Sequence, residues 1–454
     1  MKDVYLTNFA VKGIKTLDEL VSLSFYKKTI TRDMDTQEYN IKGIYGMNGS
    51  GKSGIVTAVD ILKNLLINPG YLNNPIVQKN LDAIINKKMS QLFMEVDFVL
   101  KNIVPLRHFK YSVTLSKDSV GKYVISYERL SMKRAASPSE SMTQLIEVVN
   151  GEIIYIYEEQ NDEFLKLLKR KTTNLLTTNS ICALFMEKIL APAEKVHFVE
   201  NNILFSTLCI LFIFANSLYV CIEQSDDHRS HILNNVFYGL GSNEFEYDDL
   251  LKSFLHSEVI DFDVITGVQD IVSKEKYSKF ENTIEKLCEF IRIFKSDLLQ
   301  IEIEKKVDRD SYVCDLIMVY DGYKIHAEFE STGIKKLIRL YAYLQKMAEG
   351  EIVFIDEFDS NLHDVYLCAL LEYLMEYGKG QLCFTTHNVG PMDILKRHKK
   401  SIDFLSVDHK IYSWKTNGNY SPAKLYKNGM IEGSPFNVDS IDFIGAFTTN
   451  EEGE

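Results

Sequence analysis

The feature that most constrains the fold is a glycine-rich segment, Gly46-Met47-Asn48-Gly49-Ser50-Gly51-Lys52-Ser53, which satisfies the pattern G-x-x-x-x-G-K-[ST]. The apolar run Ile41–Tyr45 predicts a strand before it, and the periodicity of Gly54–Leu66 predicts a helix after it. This strand–loop–helix order is typical of an α/β fold with a phosphate-binding loop. A glycine-rich turn that matches the pattern by chance is the alternative.

The chemistry of this segment suits a nucleoside triphosphate. Glycines let successive N–H groups point inward at phosphate oxygens, and the helix N-terminus adds partial positive charge. We expect Lys52 to reach the β- and γ-phosphates of ATP and the Ser53 hydroxyl to ligate Mg²⁺. The remaining loop residues predicted to bind the nucleotide are Gly46, Asn48, Gly49 and Gly51.

A second signal lies about three hundred residues downstream, where four apolar β-formers, Ile352–Ile355, precede two carboxylates. A continuous apolar run predicts a strand buried on both faces of a parallel sheet. Asp356 at its end is expected to hold Mg²⁺ through water, and Glu357 to act as general base on the attacking water. Adjacent acids at a strand end are common by chance, so the functional interpretation of this pair depends on the upstream glycine-rich loop.

A third signal follows the next predicted strand, Gln381–Phe384, which ends in Thr385-Thr386-His387-Asn388. If this strand neighbours the one before Asp356, His387 can reach a γ-phosphate. The alternative is an ordinary surface or core histidine.

A fourth signal is Glu330-Ser331-Thr332-Gly333-Ile334-Lys335-Lys336-Leu337, which precedes an amphipathic helix. A hydroxyl and free N–H groups at a helix start can bind an anion. A simple N-cap explains Ser331 equally well. The order of the four signals along the chain favours the functional interpretation.

Together these motifs resemble an ABC-type ATPase head, the class shared by transporters, SMC-like repair proteins and OLD-like defence ATPases. Within it the chain most resembles the ATP-binding proteins of bacterial anti-phage and abortive-infection systems, such as the PARIS or Septu ATPase subunits. The resemblance rests on Leu6-Thr7-Asn8-Phe9, GMNGSGKS, ESTGIKKL, IDEFDSNLH and TTHN, and it covers both ends of the chain.

The resemblance implies an α/β head, with a mixed sheet, helices, an antiparallel β meander and a helical insertion. It also implies ATP, Mg²⁺ and a head-to-tail homodimer with two sandwiched nucleotides. Ser331 and Gly333 would then act in trans, and Asp359 would help to link the two sites. The chain departs from the transporter signature L-S-G-G-Q, because Glu330–Ile334 keeps only the serine and the second glycine. This departure weakens any expectation of fast hydrolysis.

Four regions are predicted along the chain: an ATPase lobe over 1–135, a helical insertion over 136–300, a second ATPase lobe over 301–425 and a tail over 426–454. The first contains three alternating segments that predict a meander, and the second contains two segments with helical periodicity. These are Gln91–Leu100, Arg107–Ser116 and Lys122–Leu130 for the strands, and Asp162–Lys171 and Lys279–Leu299 for the helices. No heptad run is sustained, so a long coiled-coil arm is not expected.

The apolar run Ile203–Ile222 is long enough to cross a bilayer. Its flanks carry Glu200 and Glu223 rather than Lys or Arg clusters, and Ser206 and Asn216 interrupt it. We therefore expect a buried core or dimer-interface helix, with a membrane span as the alternative.

Charge and cysteine content limit the class of protein. With 51 Lys and Arg against 63 Asp and Glu, the net charge is −12, which argues against a histone-like coat of positive charge. The total charge does not exclude a local basic groove on one face. The seven cysteines form no CxxC pair, and the N-terminus lacks the apolar core of a signal peptide. A cytoplasmic location is expected.

Three weaker candidates remain. His228 and His231 could imitate a metal cluster, although a solvated helix start explains them better. The basic run Lys396–Lys400 could touch nucleic-acid phosphate, although a helix C-terminus also favours cations. Glu128, after the meander, could be the residue that contacts Mg²⁺, although an ordinary strand-end carboxylate explains it better.

The favoured function is a defence ATPase that senses or switches, and that controls a separately encoded effector such as a nuclease. Higher assembly and direct DNA contact are left open, and no membrane is expected. The alternatives are an SMC-like DNA-repair or DNA-maintenance head and, less favoured, the ATP-binding subunit of a transporter. The missing coiled coil opposes the second function, and the altered signature with the insertion opposes the third.

Overall fold

A computed structural model describes residues 4–31, 34–101, 103–136, 140–157, 166, 168–170, 172–185, 203–222, 236–238, 245–246, 259–261, 264–415 and 420–435. The largest sheet is antiparallel and runs in the order β2-β1-β4-β6-β7-β8-β9. Its strands are β1 Val4–Lys12, β2 Val21–Ser24, β4 Gln91–Leu100, β6 Arg107–Lys117, β7 Tyr123–Arg134, β8 Thr143–Val149 and β9 Glu152–Ile156. The three-stranded meander predicted from alternation is confirmed as β4, β6 and β7.

The central sheet carries the motif strands in the order β10-β18-β19-β3-β20-β21, parallel except for the last strand. Its strands are β3 Ile41–Tyr45, β10 Leu218–Cys221, β18 Ile352–Ile355, β19 Gln381–Thr385, β20 Ile402–Leu405 and β21 Ile411–Ser413. The expected neighbourhood of β18 and β19 is confirmed. Because the carboxyl ends of parallel strands share one edge, the loops after β3, β18 and β19 meet there.

Helices cover both faces of the central sheet. They are α1 Lys52–Ile67, α2 Pro75–Ile84, α3 Ile181–Leu184, α4 Ile203–Asn216, α5 Tyr277–Phe294, α6 Thr332–Glu349, α7 Asp364–Tyr377, α8 Met392–Leu395 and α9 Pro422–Lys427. Short 3₁₀ turns occur at Gln37–Tyr39, Tyr71–Asn73, Lys274–Lys276 and Ala327–Phe329. The predicted helices after the glycine-rich loop and after Ser331 are confirmed as α1 and α6.

Two apolar cores hold the layers together. Between the two large sheets, α1 and α4 share a core with both of them, and the ring of Phe98 stacks on that of Phe214 with 4.2 Å between centroids. On the other face of the central sheet, α6 and α7 pack Leu340, Leu371 and neighbouring apolar side chains against Val353. The central sheet is therefore buried on both faces, which explains why its strands are mainly apolar.

The prediction of one helix over Ile203–Ile222 is wrong in its extent. Helix α4 ends at Asn216, whose side-chain amide donates to the carbonyl of Phe212, and the Ser217 N–H still bonds the Ile213 carbonyl. The next four residues form β10, which pairs in parallel with β18. A hydrogen-bonded turn and a β-branched, aromatic run thus end the helix, and the whole segment is core. Among the residues that the structure describes, no helix is long and apolar enough to cross a membrane.

Residues 136–300 were predicted to be helical, and their described parts also contain strands. β8 and β9 extend the meander, and β14 Asp270–Ser273 joins β15 Gln300–Asp308, β16 Ser311–Tyr320 and β17 Tyr323–His326 in a further sheet. Two short pairs complete the strands, β11 Val236–Tyr238 with β13 Val259–Asp261 and β5 Ile103–Val104 with β12 Phe245–Glu246. The period-two patterns here were too short to detect. Most of the predicted helix Asp162–Lys171 lies outside the described residues, and the division into domains stays a prediction.

Candidate functional site

The glycine-rich loop joins β3 to α1 at the carboxyl edge of the central sheet. Gly51 adopts a left-handed backbone with φ of 101°, and a Cβ there would lie 2.4 Å from Cδ2 of Leu17, so only glycine fits. The Thr16 hydroxyl donates to the Gly49 carbonyl at 3.2 Å and braces the loop from outside. Gly46 and Ser50 are buried, Ser53 is half-buried, and Asn48 and Gly49 form the exposed tip.

Lys52 opens α1 with its ammonium folded back over the loop. Its Nζ donates to the carbonyl of Gly46 at 2.8 Å and to that of Met47 at 3.1 Å, which leaves a third proton for another acceptor. Burial lowers the pKa of Lys52 to about 8, while the carboxylates of Asp356, Glu357 and Asp359 partly oppose that change. The glycine-rich loop and these acids therefore form one electrostatic cluster.

Asp356 is buried at the end of β18, where a hydroxyl from the next strand holds it. The Thr385 Oγ1 donates to Asp356 Oδ1 at 2.5 Å and accepts from the backbone N–H of Glu357 at 2.8 Å. One hydroxyl thus fixes both members of the acidic pair. Within TTHN the role of Thr385 is not apparent from the sequence, because its signal is the adjacency of the two strands.

Glu357 has a left-handed backbone with φ of 47°, which is uncommon for a residue with a side chain. Lys336, buried on α6, donates its ammonium to the Glu357 carbonyl at 3.0 Å and to the Ser360 hydroxyl at 2.7 Å. This contact stabilises the turn that aims Glu357 away from the strand. The role of Lys336 is not apparent from the Ser331 motif, because helical periodicity does not reveal which lysine turns inward.

His387 follows β19 and is exposed at the same edge. Burial of its ring and the cation of Lys52 lower the pKa of His387, while Asp359 and Asp356 oppose that shift. The Asp359 carboxylate accepts from the backbone N–H of Asn388 at 3.1 Å, so the loop after β18 is tied to the loop after β19. Partial burial and Lys52 thus favour the neutral form of His387, which can donate one hydrogen bond and accept another.

The Ser331 segment caps α6. The Ser331 Oγ accepts from the Ile334 N–H at 3.3 Å, as expected for an N-cap, and the residue is exposed. A Cβ at Gly333 would lie 2.7 Å from the Asn361 carbonyl oxygen, so glycine allows the helix start to pack on the turn after Asp359. The structure therefore places Ser331 and Gly333 beside that turn, with their outer surface open to solvent.

The donors at this edge suit a magnesium ion that arrives with phosphates. Magnesium usually takes one or two carboxylates, with waters and phosphate oxygens for the rest, and Asp356 and Ser53 supply a carboxylate and a hydroxyl. No group of three or more His, Cys, Asp or Glu side chains suited to a metal occurs among the described residues. His228 and His231 lie outside those residues.

Glu128 is not at this edge, so the structure does not support it as a Mg²⁺ contact and agrees with the favoured interpretation as an ordinary carboxylate of the meander. It is fully buried under the meander, where it accepts from the Tyr111 hydroxyl at 2.9 Å and from the Ile181 N–H at 3.1 Å. Burial raises the pKa of Glu128 to about 7, although both hydrogen bonds act in the opposite direction. Its carboxyl group is therefore a structural element of the core.

The basic run Lys396–Lys400 follows α8 and is matched by acids of the chain. Lys396 pairs with Asp393 at 3.1 Å, Arg397 pairs with Glu372, and Lys399 pairs with Glu38. These contacts leave the run less available to nucleic-acid phosphate than its sequence indicates.

Comparison with known proteins gives one family match. Residues 285–393 match the family described as "AAA domain, putative AbiEii toxin, Type IV TA system". This segment includes Ser331, Asp356, Glu357 and His387, and it spans 109 of the 454 residues. None of the curated proteins compared with the chain matches it.

Three solved structures are similar over most of the chain. The Smc head domain with an extended coiled coil bound to the C-terminal domain of ScpA, from Pyrococcus furiosus, has 14% identity, a TM-score of 0.37, and coverage of 91% of this chain and 96% of that chain. The recombination mediator RecF-ATPrS of the RecFOR pathway has 10% identity, a TM-score of 0.38, and coverage of 91% and 99%. The Smc head domain with a coiled coil and joint from Pyrococcus yayanosii has 12% identity, a TM-score of 0.37, and coverage of 91% and 97%.

The chain's own topology settles the fold class. A parallel sheet presents a glycine-rich loop, an acidic pair and a histidine at one edge, and an antiparallel meander packs over α1. The chain has the mixed α/β fold of an ABC-type P-loop NTPase head.

Proposed function

We propose that this chain binds ATP with Mg²⁺, hydrolyses it slowly, and acts as a switch in anti-phage defence. The observation that carries the ATPase proposal is the single cluster of Lys52, Asp356, Glu357, Asp359 and His387, whose charges act on one another. Five chemically apt residues from three loops meet at one edge of the central sheet, which a chance glycine-rich turn does not explain.

Each residue has a separate task in this proposal. Lys52 directs its third proton at the β- and γ-phosphates, and Ser53 and Asp356 hold the magnesium ion. Bound Mg²⁺ would supply positive charge that offsets the charge developing on the phosphates. Glu357 takes a proton from the attacking water, and neutral His387 donates or accepts a hydrogen bond near the γ-phosphate.

The nucleotide is expected to join two copies of the chain. Ser331 is exposed and Gly333 half-buried beside the Asn361 turn, so a partner's bound nucleotide could rest on the start of α6. Asp359 lies in the loop that leads to that turn and contacts Asn388 of its own subunit. The dimer, the trans role of Ser331 and Gly333, and the linking role of Asp359 are parts of the proposal.

Support for the defence role comes from the match over residues 285–393, whose family description names an AbiEii toxin and a type IV toxin–antitoxin system. We infer that the chain controls a separately encoded effector, such as a nuclease, from the cytoplasm. The carboxylates at the ATP site are assigned to Mg²⁺ binding and ATP hydrolysis, so we assign the effector activity to a partner protein.

The test compares Lys52→Ala, Glu357→Gln and the charge-matched control Glu302→Gln, which removes an exposed carboxylate paired with Lys324. Lys52→Ala should lose ATP binding, and Glu357→Gln should bind ATP, hydrolyse it at least a hundredfold more slowly and sediment as a dimer with ATP. The control should match the parent. Unchanged ATP affinity in folded Lys52→Ala would refute the nucleotide site, and an unchanged sedimentation coefficient with ATP would refute the trans role of Ser331.

The proposed defence role is tested in bacterial cells that are challenged with phage. The chain should protect against phage only when its neighbouring genes are present and Lys52 is intact. ATP hydrolysis stimulated by duplex DNA, with no protection against phage, would instead support an SMC-like maintenance head.

A further inference from the structure

Away from the ATP site, six aromatic side chains on α5, α6 and α7 form two groups of contacting rings, which we together call the aromatic ridge. It consists of Phe290, Phe294, Tyr341, Tyr366, Tyr373 and Tyr377. Phe290 contacts Tyr341 and Phe294 with ring centroids 5.4 and 5.2 Å apart, and Phe294 contacts Tyr366 at 5.3 Å. Further along α7, Tyr373 and Tyr377 pair at 4.7 Å.

Phe290, Phe294 and Tyr341 are half-buried against the core, whereas the tyrosines of α7 are not needed to fill it. The opposite face of α7 buries Leu367, Leu371 and Leu374 against the central sheet, whereas Tyr373 and Tyr377 remain 62% and 57% exposed. Tyr366, Tyr373 and Tyr377 are the exposed members of the ridge, and exposed aromatic side chains grouped on one helix face are of the kind that marks protein-binding surfaces. Tyrosine is also enriched at the energetically dominant positions of interfaces.

The charges around the ridge are mainly negative. Helix α7 carries Asp364, Glu372 and Glu376, all exposed, and it contains no Lys or Arg. Glu289 and Glu349 also act electrostatically on Tyr341. Arg397 pairs with Glu372, Lys346 pairs with Glu349, and Arg292 accompanies Glu289 on α5, so the excess of negative charge lies along α7.

These charges decide what can cover the ridge. A second copy packed through the same face would set the acids of α7 against the same acids, which is unfavourable. Nucleic-acid phosphates and anionic lipid head groups would be repelled for the same reason. A protein segment with apolar anchors and Lys or Arg beside them satisfies both the aromatic and the acidic groups.

We propose that the aromatic ridge is the docking surface for a basic amphipathic helix of a partner protein. Leucine or aromatic anchors of that helix lie on Tyr366, Tyr373 and Tyr377, and its cations meet Asp364 and Glu376. The inference rests on the proposed switch function for the partner's role as effector, whereas the docking itself follows from the surface.

The position of the ridge connects docking to the ATP site. Asn388 donates its side-chain amide to the Asp364 carboxylate at 2.9 Å, and its backbone N–H donates to Asp359 at 3.1 Å. The start of α7 and the loop after β19 therefore move together. A shift in the position of His387 or Asp359 on ATP binding is passed to the start of α7, and so to the ridge, through Asn388.

The probe for this proposal is a synthetic 18-residue amphipathic helix with Leu and Trp on one face and Lys and Arg on the other. Two comparison peptides carry Glu in place of the cations, or Ser in place of the apolar residues. Fluorescence anisotropy measures their affinity for the full chain and for Tyr373→Ser/Tyr377→Ser. A matched control, Ile154→Ser/Tyr155→Ser, removes two exposed apolar side chains from β9.

The basic amphipathic peptide should bind at least tenfold more tightly than either comparison peptide. The Tyr373/Tyr377 double variant should lose at least tenfold in affinity, and the β9 control should lose none. Equal binding of the three peptides, or an unaffected double variant, would overturn the proposal. Self-association of the parent that the double variant abolishes would assign the ridge to a second copy. Lys52→Ala should still bind the basic peptide. Its peptide affinity therefore tests the docking surface independently of the ATPase proposal.

Discussion

The Lys336 ammonium on α6 donates to the backbone carbonyl of Glu357 at 3.0 Å, so the helix that begins at Ser331 is attached to the turn that carries the proposed general base. Lys336 is 8% exposed, and its second hydrogen bond goes to the Ser360 hydroxyl. The two motifs were independent in the sequence. This hydrogen bond couples the position of α6 to the backbone of Glu357.

Lys336→Met should therefore lower the turnover of ATP more than its binding. Hydrogen bonds from a charged donor contribute about 1.5–3 kcal/mol, so we expect kcat to fall about 10- to 100-fold while KM changes less than about threefold. Steady-state ATPase assays measure both quantities. The control is Lys335→Met, an exposed neighbour. Equal losses in kcat for both variants, or a loss confined to KM, would contradict a positioning role.

The affinity for ATP should depend on pH through Lys52. Burial lowers the pKa of Lys52 to about 8, and bound phosphates would raise that pKa again. The affinity due to its charge is therefore complete below about pH 8 and is lost as pH rises toward the pKa of the bound state, by at most about tenfold per pH unit. Titration with a non-hydrolysable ATP analogue from pH 7.5 to 9.5 measures this slope. Lys52→Arg, which stays charged, should flatten it.

The stability of the fold should fall as pH rises through the titration of Glu128. Its folded pKa is about 7 against an ordinary value of 4.5, so the native state retains a proton that the unfolded state releases. The stabilisation is complete below about pH 4.5 and is lost above about pH 7, a change of about 3 kcal/mol. Urea unfolding of the parent and of Glu128→Gln at pH 5 and pH 8 measures the difference. Glu147→Gln on neighbouring β8 is the control, and a parallel pH profile for the parent and Glu128→Gln would refute the prediction.

The buried ion pair in the central sheet should be costly to break. Lys42 on β3 and Asp403 on β20 are 2.6 Å apart, with side chains 2% and 0% exposed. Asp403→Leu leaves the Lys42 cation without its carboxylate and should destabilise the fold by about 3–5 kcal/mol. The double variant Lys42→Met/Asp403→Leu should recover most of this loss. Removal of Glu302 from its exposed pair with Lys324 should cost about 0–1 kcal/mol in the same unfolding assay.

The local elements of the ATP-site lobe could be predicted from the sequence because their signals are local. The strand Ile41–Tyr45, the helix after Gly51, the meander and the N-cap at Ser331 each depend on residues within a few positions of one another. Period-two and period-3.6 patterns report burial on one face, and capping residues report helix starts. The candidate residues Lys52, Asp356, Glu357 and His387 were found for the same reason, since each directly follows such an element.

The tertiary structure alone decided which of these elements touch. The apolar run Ile203–Ile222 had to be split into α4 and β10, because β10 pairs in parallel with β18, more than 130 residues away. Thr385 and Lys336 belong to the site because β19 and α6 lie beside β18 in the folded chain. Glu128 lies away from the site because its side chain is buried inside the meander layer. Pairing between distant segments leaves no periodic trace in the sequence, so side chains that act across it are visible only in the folded chain.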